Sequence, residues 1–234
     1  MDAAETFYRG YGWFFWEGLK ITILVAVCAG AVAVPMGLLG AWGKLSRSPL
    51  ARTVANAYTV VVRGVPELVL IILVYYGLTI LMQMFASWLA GSEILIDIDP
   101  FLTGVIALGS IYGAFATEVF RGAYLAVPTG QIEAAKATGM NRSLIVRRVL
   151  LPQMWRFALP GLGNVWLVLI KATALMSVIQ LDELMRKTDI AARAVREPFK
   201  FYLTAALIYL GITFVSMLAQ QRAEGWANRG VRRS

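Results

Sequence analysis

The sequence predicts an all-α membrane protein with about five transmembrane helices and one short helix on the cytoplasmic side. Of its 234 residues, 59% are hydrophobic and 15% are charged, whereas a soluble domain carries about a quarter charged residues. A spanning helix needs about 20 mostly apolar residues, and the chain has several such windows. Both observations favour a bilayer as the solvent of most of the chain.

Five windows fit as spans of a single transmembrane domain that covers residues 1–234. They run over residues 19–42, 58–88, 101–120, 149–175 and 201–219, with a cytoplasmic loop over residues 129–148. The second window is interrupted early by Arg63-Gly64-Val65-Pro66-Glu67 and is long enough to include an interfacial helix. Arg63 and Glu67 are four residues apart, so they can pair on one helix face.

The charges of the loops predict the orientation. The first and third loops and the C-terminal tail are basic, and the tail includes Arg229, Arg232 and Arg233. The second loop is acidic and carries Glu93, Asp97 and Asp99. The positive-inside rule therefore predicts a periplasmic N-terminus and a cytoplasmic C-terminus. Because the net charge of +8 collects in these loops, we do not expect a nucleic-acid partner.

Several kinds of site are absent from the sequence. The chain has no histidine and one cysteine, Cys28, which excludes histidine-based metal sites and Ser-His catalysis. The phosphate-binding pattern G-x-x-x-x-G-K-[ST] does not occur either. We therefore predict no catalytic, metal-binding or cofactor-binding residues, and any ATP that drives this protein must bind to another chain.

The loop after the third window contains a short helix. It begins at Thr129 or Gly130 and continues to Ala137, because alanine favours helix, and Gly139 ends it. Ile132 and Ala135 form a small apolar face. Such a short helix is unstable alone in water, so it requires a partner, which on physical grounds is either the membrane surface or a protein groove.

Polar residues inside the windows are candidates for a translocation path. Ionisable groups at membrane depth usually face a bundle interior or a cavity, and the chain has five at such positions: Arg63, Glu67, Glu118, Arg156 and Lys171. Thr173 and Ser177 are four residues apart and are expected to share a helix face. Their hydroxyls either line the path or bond to carbonyls of their own helix.

An ordered set of motifs resembles the binding-protein-dependent ABC import permeases. Glu133-Ala134-Ala135, Gly139 and Leu151-Pro152 are similar to the cytoplasmic coupling motif of that family. The polar amino acid branch is indicated by the segments 63–66, 117–122, 159–164 and 171–175. Ile96-Asp97-Ile98-Asp99-Pro100 and residues 63–67 are most similar to the first permease subunit of histidine/lysine/arginine/ornithine or octopine/nopaline importers.

The resemblance implies a type I importer permease fold and a non-catalytic subunit in the bacterial inner membrane. This subunit would couple ATP hydrolysis to the import of polar, basic amino acids or opines. Its expected partners are lipid, a second homologous permease chain in a heterodimer, two copies of a cytoplasmic ATPase and a periplasmic substrate-binding protein. ATP and Mg would bind to the ATPase.

The resemblance also implies roles for individual residues. Glu133 would make a polar contact in a groove of the ATPase, with Ala134 and Ala135 as the close-packed face and Gly139 as the turn. Gly139→Asp or Ala135→Asp is then expected to abolish transport without preventing insertion. The candidates for the translocation path are Glu67, Glu118, Asn164, Lys171, Thr173 and Ser177.

One difference from the family pattern concerns the substrate. Ala172 follows Lys171, where relatives that hold an amino acid in the membrane often have an acidic residue. A buried cation without a carboxylate is costly. We therefore expect this chain to form part of the wall of the translocation path. The second permease chain is expected to hold the charged substrate. The alternative function is a secondary transporter or channel subunit that uses an ion gradient, although the chain has no internal repeat.

Overall fold

The computed structural model describes residues 3–92 and 98–228. This part of the chain forms nine α-helices and no strand. They are α1 (Ala3–Leu45), α2 (Pro49–Gly64), α3 (Glu67–Ala90), α4 (Pro100–Leu125), α5 (Thr129–Ala137), α6 (Arg142–Ile145), α7 (Leu151–Ala172), α8 (Leu184–Val195) and α9 (Pro198–Ala227). Expectations that involve Glu93, Ile96, Asp97 and the tail arginines 229, 232 and 233 lie outside the described residues.

Within residues 3–92 and 98–228, five helical segments are long and apolar enough to cross a membrane, which confirms the predicted all-α membrane class. They are Gly10–Leu45, Glu67–Ala90, Pro100–Leu125, Arg142–Ile179 and Pro198–Ala227. The fourth segment changes geometry along its length. A π-helical turn over Val146–Leu150 leads into α7, and a 3₁₀ helix over Thr173–Ile179 follows it.

A break at Val65–Pro66 divides the second predicted span. Proline has no N–H and disfavours helical geometry in the preceding residue, and Val65 is extended (φ −104°, ψ 139°). The predicted ion pair between Arg63 and Glu67 does not form, because the two residues lie on different helices. Arg63 lies 5.4 Å from the ring centre of Phe115, and the Tyr112 hydroxyl lies 3.1 Å from both carboxylate oxygens of Glu67.

The most extensive helix contact joins α1 and α4 through small residues. A Cβ atom on Gly37 would lie 2.6 Å from Cβ of Ala116, and one on Gly40 would overlap the side chain of Thr117. Thr117 cannot easily move away, because it is buried and donates a hydrogen bond of 2.9 Å to the Gly113 carbonyl. Small residues let membrane helices approach in this way, and α4 becomes the most buried of the five segments.

This contact predicts a large difference between two glycine substitutions in α1. Gly40→Ala should destabilise the protein by about 1–3 kcal/mol through overpacking. Gly30→Ala should be neutral or slightly stabilising, because its Cβ would meet Trp166 at an ordinary 3.5 Å. Thermal unfolding in detergent measures the difference, at about 2–4 °C per kcal/mol. Equal unfolding temperatures for the two variants would contradict the proposed packing.

Glu183 joins α8 to α1 and α9. Its buried carboxylate caps α8 by accepting from the N–H groups of Met185 and Arg186, both at 2.8 Å. It also accepts from the Tyr209 hydroxyl at 3.2 Å, while Thr22 accepts from the Leu184 N–H at 3.1 Å. Burial raises the pKa of the Glu183 carboxyl to about 7, although the two backbone N–H donors act to lower it.

The raised pKa predicts a pH dependence of stability. The folded protein favours the protonated carboxyl, so this contribution is full below about pH 4.5 and is lost as the pH rises to about 7. The unfolding temperature should therefore fall between pH 5 and pH 8, at about 2–4 °C per kcal/mol lost. The chain has no histidine, so few other groups titrate in this range.

Glu183→Gln should remove the fall in unfolding temperature. Asp182→Asn, which changes an adjacent exposed carboxylate paired with Arg186 and Lys187, should retain it. A Glu183→Gln protein with the wild-type pH profile would show that Glu183 does not titrate in this window.

Candidate coupling surface and translocation path

The short helix α5 has the bounds that the sequence predicts, and its C-terminus has a Schellman motif. The Gly139 N–H donates to the Lys136 carbonyl at 3.0 Å, and the Met140 N–H donates to the Ala135 carbonyl at 3.1 Å. Gly139 is left-handed, with φ +80°. These two hydrogen bonds satisfy carbonyls that a helix end otherwise leaves unpaired.

The two alanines of the Glu133-Ala134-Ala135 motif have different surroundings. Ala135 is 6% exposed and packs within its own chain, whereas Glu133 and Ala134 are exposed. The structure therefore separates two residues that the sequence analysis assigns to one docking face. We use the term coupling face for the exposed residues Glu133, Ala134 and Lys136.

An open groove of about 450 Å³ lies between α5 and the start of the fourth segment. It is lined by Gln131, Ala134, Ala135, Thr138, Met140, Arg148, Val149 and Gln153. Arg142, Arg147 and Arg148 are exposed nearby in the sequence. The coupling face thus borders a small apolar depression in a basic region. A complementary protein surface would place acidic groups opposite the arginines and a basic or donor group opposite Glu133.

Glu118 belongs to an ion network that links α1 and α4. It pairs with Lys44 of α1, and at 2.9 Å with Arg121 of its own helix. Lys44 and Arg121 lie near the helix ends that the charge pattern assigns to the cytoplasmic side. Both ion pairs of Glu118 are with basic residues of this chain. These contacts do not support its predicted position on the translocation path.

The remaining path candidates lie in different environments. Asn164 and Lys171 are exposed, Glu67 and Ser177 are half-buried, and Thr173 is buried. Lys171 lines a groove of about 320 Å³ together with Tyr202 and Tyr209. The structure thus distributes the predicted candidates along the bundle instead of collecting them in one cluster.

The expectation that Thr173 and Ser177 share one helix face is wrong. Both residues lie in the 3₁₀ helix, in which residues three apart eclipse, so residues four apart point roughly 120° away from each other. The Thr173 hydroxyl donates to the Ile170 carbonyl at 2.7 Å. For Thr173 the structure therefore has the alternative arrangement, a hydroxyl bonded to its own helix.

Two partners of candidate residues, and the buried cap Glu183, were missed by sequence reasoning. Lys44 and Tyr112 pair with acids 74 and 45 residues away, and no local pattern indicates such contacts. Glu183 precedes an amphipathic helix, which is a weak signal for an N-cap. Among the described residues, no group of three or more acidic, histidine or cysteine side chains could hold a metal ion.

Comparison with known proteins identifies the family. The profile described as "binding-protein-dependent transport system inner membrane component" matches residues 33–227. The chain belongs to this family. It is a permease component of a binding-protein-dependent, ATP-driven importer and a multi-pass inner membrane protein, which confirms the resemblance found in its motifs.

Relatives support the same branch of the family. The nopaline transport system permease of Agrobacterium fabrum is 48% identical over 223 residues, which cover 95% of this chain and 94% of the relative. The histidine/lysine/arginine/ornithine transport system permease of Escherichia coli is 44% identical over 207 residues, covering 88% and 90%. A crystal structure of an amino acid ABC transporter with histidines is 32% identical, with a TM-score of 0.81 and coverage of 96% and 98%.

The left-handed turn after α5 predicts that two substitutions of Gly139 differ in their effect. A Cβ at Gly139 would have nothing within 4 Å, so only the backbone conformation limits the side chain. Valine is strained at positive φ, whereas asparagine and aspartate tolerate it. The turn itself therefore does not account for the loss of transport expected of Gly139→Asp, which would have to come from the added charge. In the assembled importer, Gly139→Val should lower binding-protein-stimulated ATP hydrolysis about fivefold or more, and Gly139→Asn should retain most of it. Equal losses would show that the partner requires space at this position instead.

Proposed function

We propose that this chain is one of two homologous permease subunits in an importer of polar amino acids, specifically of basic amino acids or opines. The names of its relatives support this substrate class. The observation that carries the coupling role is the coupling face itself. A nine-residue helix is too short to be stable alone, and α5 uses Ala135 to attach to its own chain while Glu133 and Ala134 point outward.

The partner of the coupling face is a separate ATPase in this proposal. The sequence has no phosphate-binding loop, so ATP and Mg bind to that ATPase, of which two copies serve the permease pair. This chain is then not itself an enzyme. A basic membrane-proximal loop alone would also suit anionic lipid, but lipid binding would leave the Glu133 carboxylate without a favourable partner.

The orientation follows from the loop charges. The basic loop with α5 and the Lys44–Glu118–Arg121 network face the cytoplasm, which gives a periplasmic N-terminus and a cytoplasmic C-terminus. The segment with α8 then lies on the periplasmic side, where a substrate-binding protein delivers the substrate.

Force reaches the bundle through short connections. Residues 126–128 join α5 to α4, and α6 with the π-helical turn joins it to α7. When the ATPases close on ATP, a rigid displacement of α5 moves both helices. The ion network transfers the displacement to α1, so the subunit rotates as one body and opens the path outward.

Reconstitution tests the proposal. The complete importer in proteoliposomes should take up labelled L-lysine, L-arginine, L-histidine, L-ornithine, nopaline or octopine only with ATP and the binding protein. Uptake driven by an ion gradient without ATP would contradict the proposal and favour a secondary transporter.

A charge reversal tests the coupling face. Glu133→Lys should lower ATP-dependent uptake at least about tenfold, because charge-assisted contacts in a docking groove are strong. Glu224→Lys is the matched control, since it reverses a carboxylate that pairs with Gln220 of its own helix at the proposed cytoplasmic end of α9, and it should keep wild-type uptake. Normal uptake by Glu133→Lys would remove Glu133 from the interface.

A further inference from the structure

The break between α2 and α3 lies beside the middle of α4. The Tyr58 hydroxyl, before the break, donates to the Ser110 carbonyl, and Glu67, after it, contacts the Tyr112 hydroxyl. Ser110 and Tyr112 are near the centre of α4, a helix of 26 residues that is about 39 Å long and long enough to cross a membrane. The break and Arg63 therefore lie level with the middle of α4, away from both of its ends.

Lipid is an unsuitable surrounding for this region. Irregular backbone at membrane depth is tolerated where it is buried in protein or lines a water-filled cavity, yet Gly64 and Pro66 are exposed on this chain. Arg63 is exposed as well. Its guanidinium lies over Phe115 and has no carboxylate partner among the described residues, and charged groups within spans face a cavity or a partner.

Two opposite charges thus flank the break without pairing with each other. Glu67 is half-buried and held by Tyr112, while Arg63 is held on an aromatic ring and keeps its N–H donors available. A free amino acid carries a carboxylate and an ammonium group on one carbon atom. Arginine binds carboxylates through two parallel hydrogen bonds.

We propose that Arg63 binds the α-carboxylate of the transported amino acid or opine at the Val65–Pro66 break, with Glu67 facing its α-nitrogen. This inference rests on the proposed function and narrows it. This contact recognises the α-carboxylate and the α-nitrogen, which amino acids and opines share. The cationic side chain of a basic substrate is then matched elsewhere, in agreement with Ala172 in place of an acid. This chain would then bind the substrate directly, whereas its sequence predicts only a contribution to the wall of the translocation path.

Selective loss of carboxylate recognition tests the inference. The probe is one of the amino acids or opines named above that the wild-type importer transports. Its affinity is compared with that of its decarboxylated analogue, such as agmatine for L-arginine. Binding is measured on the permease–ATPase complex in nanodiscs without the binding protein, which would itself select for the carboxylate. Wild-type complex should bind the amino acid at least about tenfold more tightly than the analogue.

Arg63→Gln should reduce this preference to within about twofold, and Arg63→Lys should leave an intermediate preference, because lysine offers charge without the two parallel bonds. Arg156→Gln is the matched control. Arg156 lies in the fourth apolar segment, with its guanidinium 5.1 Å from the ring centre of Phe157, and Arg156→Gln should keep the full preference.

A tenfold preference retained by Arg63→Gln overturns the inference and leaves the proposed function intact. If that variant does not assemble, Arg63→Lys decides: a reduced preference supports carboxylate binding, and the wild-type preference identifies Arg63 as an ion-pair partner of the second permease chain. A wild-type importer that takes up no member of the panel overturns the proposed function and this inference together.

Discussion

Helices that cross a membrane gain little from apolar contact with each other, because the lipid is equally apolar. The bundle of this permease depends instead on how closely α1 approaches α4. Gly37 and Gly40 bring the backbone of α1 against Ala116 and Thr117, where no larger residue fits. The contact also repeats along α4, where a Cβ on Gly109 would meet Val32 at 2.6 Å. Dispersion over this close surface replaces the hydrophobic effect as the force that orders the helices.

The close packing of α4 explains how the short helix α5 could act on the whole subunit in the proposed mechanism. One end of α4 leads directly into α5, and Glu118 joins that end to Lys44 of α1. At its centre, Tyr112 holds Glu67 at the break in the second crossing. In the proposed mechanism, a displacement of α5 would therefore reach α1 and the break before α3 through one well-packed helix. Because packed interfaces have few alternative arrangements, that displacement would be transmitted as rotation instead of being absorbed locally.

The parts of the structure that follow from local chemistry could be predicted from the sequence. Length and apolarity locate the spans, and the alanine run with Gly139 gives the bounds of α5. Contacts between distant residues could not be predicted, since nothing near Glu118 or Glu67 in the sequence indicates Lys44 or Tyr112. Two periodicity arguments were wrong because the helix geometry changes locally. Pro66 separates Arg63 from Glu67, and the 3₁₀ turn rotates Ser177 away from Thr173.

The division of the Glu133-Ala134-Ala135 motif also required the structure, because two adjacent alanines look equivalent in a sequence. Ala135 attaches α5 to its own chain, and Ala134 faces outward. The chain has one cysteine, Cys28, so a Cys28→Ser background permits site-specific cross-linking. In the assembled importer, a cysteine introduced by Ala134→Cys should cross-link to the ATPase in high yield, and one introduced by Ala135→Cys should not. Cross-linking to the ATPase from Ala135→Cys but not from Ala134→Cys would contradict the proposed coupling face.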